Sequence, residues 1–145
     1  MSEQDTAMPP VTPHLVVDGA AKAIEFYRAA FGAVEAMRVP AEDGSGKLMH
    51  AAITINGGLI MLMDDFPEYG DGQGSSPRVL GGSPVHIHLD LPDVDATWQQ
   101  AVDAGATIAM PLEDQFWGDR YGQLIDPFGH IWSLASPTGS DDNAS

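Results

Sequence analysis

No cysteine occurs at any of the 145 positions, which excludes disulfides and thiolate metal ligands. Positive charge is scarce: six Lys and Arg stand against twenty-one Asp and Glu, a formal net charge of −15. Nucleic acid and anionic membranes both need a positive footprint, so neither is expected as a partner. No apolar run approaches the roughly 20 residues that span a bilayer. Residues 1–5, Met-Ser-Glu-Gln-Asp, lack the basic and apolar regions of a secretion signal. The expectation is a cytoplasmic protein with a solvated acidic surface. An anionic ligand would have to find one of Lys22, Arg28, Arg38, Lys47, Arg78 or Arg120.

What the chain does have suits one domain with a real core, at 43% hydrophobic and 19% charged residues. Residues 1–11 read as a flexible arm, 12–135 as a single domain, and 136–145 as a disordered tail. Within the domain, 12–17 reads as a strand and Asp18-Gly19 as a turn. Residues 20–31 are a helix, with Ala23, Ile24, Tyr27, Ala30 and Phe31 at helical spacing and Gly32 ending it. Strands follow at 34–39, 48–55 and 59–63, the last two joined by the hairpin signal Asn56-Gly57-Gly58. Residues 64–84, rich in Gly, Pro, Ser and Asp, form a long loop that is either a lid or a connector. Then come a strand at 85–91, a helix at 94–104 ended by Gly105, and a strand at 107–110 before Pro111.

The chain closes on Phe116-Trp-Gly-Asp-Arg-Tyr-Gly-Gln-Leu-Ile-Asp-Pro-Phe-Gly-His-Ile-Trp-Ser-Leu-Ala135. This is a hairpin: 121–125 pleats, Asp126-Pro-Phe-Gly129 turns, and 130–135 returns. Proline second and glycine fourth suit a type I turn. The halves also repeat. Strand, turn, helix, glycine and strand recur, with His14 and Gly32 18 residues apart and His86 and Gly105 19 apart.

The repeat and its motifs are Ala23-Ile-Glu-Phe-Tyr27 with Phe31-Gly-Ala33, Asp93-Val-Asp-Ala96 with Ala104-Gly-Ala106, Phe116-Trp-Gly-Asp-Arg-Tyr-Gly122 and Asp126-Pro-Phe-Gly-His-Ile-Trp132. Over residues 12–135 they resemble the vicinal oxygen chelate superfamily of glyoxalases, bleomycin-resistance proteins and extradiol dioxygenases, in its PhnB-like branch. The resemblance implies an α+β fold: two βαβββ modules, about 12–63 and 85–135, forming an open barrel around a cavity. It also implies a homodimer and a small-molecule ligand.

Strand alternation assigns side chains to faces. His86, His88 and Asp90 share one face of their strand, opposite Ile87, Leu89 and Leu91. His14 lies with Thr12 and Val16, opposite Leu15 and Val17. Met61 and Met63 share a face, and Ser133 opposes Trp132 and Leu134. A pocket of Thr12, His14, Met61, Met63, His86, His88, Trp117, Arg120, Tyr121 and Ser133 is therefore expected. Trp117 and Tyr121 offer flat faces, and Arg120 offers charge unless it is ion-paired to Asp119, Asp126 or Glu113. Metal-dependent relatives carry ligands at positions that the resemblance maps onto Thr12, Met61, His86 and Ser133. Only His86 is a good ligand for a divalent ion, so no metal or other cofactor is expected. The alternative is a lyase, isomerase or dioxygenase with Zn, Ni, Mn or Fe held by His14, His86 and His88. A third reading is metal-free catalysis with His86 or His88 as general base. His50 and His130 read as structural.

Overall fold

The computed structural model describes residues 9–70 and 72–138. Most of the expected arm and tail therefore lies outside the described residues. Eight strands form two four-stranded sheets. In the first, β1 (His14–Val17) lies beside β4 (Gly58–Asp64), followed by β3 (Leu48–Ile55) and β2 (Val34–Pro40). In the second, β5 (His86–Asp90) lies beside β8 (Ile131–Pro137), followed by β7 (Asp119–Ile125) and β6 (Thr107–Asp114). In each module the first strand pairs in parallel with the last, and the other pairings are antiparallel. Helix α1 (Ala20–Phe31) follows β1 and α3 (Val94–Ala104) follows β5, so the fold is α+β.

The termini of α1 show why the helix starts and stops there. Gly19 and Gly32 both adopt left-handed conformations, and the Asp64 carboxylate accepts hydrogen bonds from the Gly19 and Ala20 N–H groups at 2.9 and 3.0 Å. A carboxylate on the first-turn amides satisfies orphan donors and complements the helix dipole. The second Oδ of Asp64 accepts from Leu48 N at 2.7 Å, tying helix, β3 and β4 together. In the second module Asp93 caps α3 from its own position, accepting from Ala96 N.

The modules share one core. Tyr27 and Phe31 of α1 pack at a tilt against Trp132 of β8, with ring centroids 5.2 and 4.7 Å away. Beneath them Asp126 is buried and accepts four hydrogen bonds: from Tyr27 Oη (2.6 Å), Trp132 Nε1 (2.8 Å), and the Phe128 and His130 amides. Asp126 thus belongs to the turn and also joins the halves. His130 makes a second tie, its Nε2 lying 2.9 Å from the Val16 carbonyl.

Two elements differ from expectation. Strand β6 runs through Pro111 to Asp114 instead of stopping at Met110. It is an edge strand with register shifts between Met110 and Glu113, so the proline's missing donor interrupts no ladder. The 64–84 segment is not bare loop. It holds a 3-10 turn (Pro67–Tyr69) and a short helix α2 (Pro77–Leu80). Asp65 accepts from the Ser75 and Ser76 amides, Lys47 Nζ donates to the Asp65 carbonyl, and Arg78 bonds Asp18 and the Pro127 carbonyl.

Candidate functional site

The faces of the two sheets turned away from the helices carry the polar side chains. On β1 and β4, Leu15, Val17, Ile60 and Leu62 are buried in the core, while His14, Met61 and Met63 occupy the opposite face. His14 lies in register with Met61, and its ring meets His50 edge-on at 5.7 Å. Burial first, and the neighbouring His50 second, hold the His14 imidazole below its ordinary value of 6.5. Thr12 precedes β1 and donates a long 3.5 Å hydrogen bond to the Pro9 carbonyl.

Along the same sheet opens a cleft of about 590 Å³. Met49 and Met63 line it from the sheet, and Phe66 and Tyr69 line it from the 64–84 segment. Glu42 and Asp43, on the turn between β2 and β3, stand at its rim. The two aromatic rings pack together with centroids 5.7 Å apart. Of these residues only Met63 was expected in the pocket. Phe66 and Tyr69 flank Pro67-Glu68, and proline at the first position of a helical turn was the available signal.

A second polar set sits on β5, β7 and β8. His88 and Ser133 are in register on the parallel pair. His88 Nδ1 lies 2.7 Å from Ser133 Oγ, and its Nε2 lies 3.0 Å from Asp90 Oδ1. Tyr121 stacks on the His88 ring at 6.2 Å and accepts a hydrogen bond from Gln123. Trp117 meets Tyr121 edge-on at 5.7 Å and donates to Asp119. His86 is exposed. No hydrogen bond or ring contact among the described residues joins this set to the first.

Arg120 lies apart from this set. It shares its face of β7 with Gly122 and Leu124, on the helix side, where it bonds Asp95 at 3.0 Å and Asp114 at 3.2 Å. Alternation along β7 sends Tyr121 and Arg120 to opposite faces. The ion pair is real, although neither partner is one the sequence suggested.

Residues 7–134 match the model of the Glyoxalase/Bleomycin resistance protein/Dioxygenase superfamily. The chain belongs to this superfamily. It is 58% identical over 129 residues to the protein Mb0911c of Mycobacterium bovis, covering 89% of this chain and 84% of that protein. It matches the Mycobacterium tuberculosis protein Rv0887c to the same identity, over 75% of that protein. Among solved structures, a gene product of Arabidopsis thaliana superposes with a TM-score of 0.68 at 26% identity, covering 89% of this chain and 99% of that one. A PhnB protein from Bacillus cereus gives 0.64 at 20%, covering 88% and 99%. The fosfomycin resistance protein FosX from Listeria monocytogenes, solved with Mn(II) and sulfate, gives 0.66 at 18%, covering 95% and 99%. These last two likenesses concern the fold.

A superfamily with metal-bound members raises the question of fit. Of Thr12, Met61, His86 and Ser133, only His86 offers a donor of the right kind for a divalent ion. Within one chain the described residues do not gather the alternative trio of His14, His86 and His88 into a cluster. His14 pairs with His50, both ring nitrogens of His88 are engaged, and among the described residues no three His, Asp or Glu converge. Within one chain the residues present do not fit a divalent-metal centre.

Proposed function

We propose that this superfamily member, on the PhnB-like branch, is a metal-independent small-molecule-binding protein that works as a cytoplasmic homodimer. The observation that carries the reading is the 590 Å³ cleft walled by Met49, Met63, Phe66 and Tyr69. A concave, largely apolar site with a few polar groups at its mouth is the usual form of a small-ligand pocket. Methionine adapts to irregular ligands and aromatic rings stack on flat ones. The Pro67–Tyr69 turn gives the 64–84 segment the part of a cover over the ligand. A thermal-shift screen of a compound library on chelator-treated protein tests this. Hits should bind one per subunit by calorimetry, resist chelator, and weaken at least about tenfold in Phe66→Ala, about the loss of one stacking contact. Hits that appear only after Mn or Zn is added would retire the reading.

One observation favours a second reading, metal-free acid–base catalysis. Asp90, His88 and Ser133 form a continuous hydrogen-bonded chain, and an imidazole fixed by a carboxylate on one nitrogen is arranged to move a proton on the other. Chelator-resistant turnover of a ligand, abolished in His88→Ala and retained in His86→Ala, would establish it.

A further inference from the structure

We infer that the cleft selects an organic cation with a flat apolar body; this rests on the ligand-binding reading above. Glu42 and Asp43 stand at the mouth, and no Lys or Arg lines the cleft. Glu42 has no hydrogen-bond or ion-pair partner among the described residues. Asp43 accepts hydrogen bonds from within its own turn, chiefly at Ser45, with Lys47 as the one cation acting on it from nearby. Asp65 also lines the cleft, and its carboxylate takes two neutral donors, the Ser75 and Ser76 amides.

The cations that might neutralise this rim are held elsewhere. Arg28 and Arg38 pair with Glu25 and Glu35, Arg78 with Asp18, and Arg120 with Asp95 and Asp114, while Lys22 lines a neighbouring depression beside Ser45 and does not enter the cleft. Lys47 is the near exception. Its ammonium lies 4.9 Å from the centroid of Phe66, one of the cleft's own walls, and donates to the Asp65 carbonyl. Three carboxylates outnumber it, and its position shows that the Phe66 ring takes a cation over its face. On a chain of net charge −15, the local field and the global one have the same sign, so a cation is drawn in and an anion repelled. The walls set the remaining requirement, because Phe66 and Tyr69 offer ring faces and Met49 and Met63 offer polarisable sulfur.

Three probes sharing one phenyl ring separate charge from shape: phenyltrimethylammonium, its neutral isostere tert-butylbenzene, and the smaller anion benzoate. They are titrated into the full chain carrying 13C-methyl methionine, with the Met49 and Met63 signals assigned by Met→Leu variants. The cation should shift both signals with an affinity at least about tenfold above the neutral isostere, in line with a cation–π contact plus rim charges. Benzoate should shift neither. The double variant Glu42→Gln/Asp43→Asn should cut the preference at least about threefold by weakening the cation more than tert-butylbenzene, the remainder coming from Phe66 and Asp65. Equal affinity for cation and isostere, or tighter binding of benzoate, overturns the cation inference and leaves the cleft standing. Failure of every probe to move Met49 or Met63 overturns both.

Discussion

Asp126 shows how one side chain can close two levels of structure. Its carboxylate accepts two amides of its own turn and two side-chain donors from the core, Tyr27 and Trp132. Burial and the adjacent carboxylate push the Tyr27 phenol well above its ordinary value, so the hydroxyl stays a donor. Tyr27→Phe should cost about 1 kcal/mol in urea unfolding, since it removes one bond and leaves three. Asp126→Ala should cost at least about 3 kcal/mol, since it strands four buried donors. Gly122 is the opposite case, where a missing atom matters. A Cβ there would meet the Trp98 ring at 2.6 Å and the Leu112 backbone at 2.9 Å, so Gly122→Ala should destabilise by about 1–3 kcal/mol through overpacking. His14 carries a pH signature. Its folded-state value is lowered, so the unfolded chain binds more protons as pH falls below 6.5. Its contribution to stability is complete above that pH and is lost as pH drops through the lowered value. An NMR titration should place the His14 midpoint below 6.5. In His50→Gln it should rise only part of the way back, because burial is the larger cause.

At the scale of elements, local periodicity carried most of the fold. The helices at 20–31 and 94–104 fall where spacing and terminal glycines put them. The faces of β1, β4, β5 and β8 follow alternation, because burial against helices leaves a period of two in the sequence. The failures are equally physical. Alternation alone separates Arg120 from Tyr121, but the density of aromatic residues around Arg120 suggested a shared pocket. The His88–Ser133 contact depends on the register of two strands about 45 residues apart in sequence, which no local pattern encodes. The turn and helix within 64–84 are held by Asp65, Lys47 and Arg78 acting on distant backbone, so composition alone suggested only a loop. The latch gives a prediction at this scale. Arg78→Ala releases α2 from Asp18 and Pro127 and should raise amide exchange across 75–82 while leaving β7 and β8 protected.

At the scale of the whole molecule, the edge strand β2 exposes Val34, Met37 and Val39 at 63, 42 and 40%. Exposed apolar side chains on a sheet edge invite pairing. A second copy covering this edge would make the homodimer that the family resemblance implies. Sedimentation equilibrium should give twice the 15.4 kDa chain mass, and Val39→Glu should raise the dissociation constant at least about tenfold by burying a charge. A monomer at micromolar concentration would remove the dimer from the account and leave the cleft, which is built from a single chain. Among the described residues no helix is long and apolar enough to cross a membrane.

Metal-independent binding, as proposed above, can be checked by calorimetric titration of Zn, Ni, Mn and Fe(II) into chelator-treated protein. The donors at Thr12, Met61, His86 and Ser133 predict no stoichiometric binding at micromolar metal and no difference between the wild type and His86→Ala. One metal bound per subunit, and lost in His86→Ala, would contradict the account.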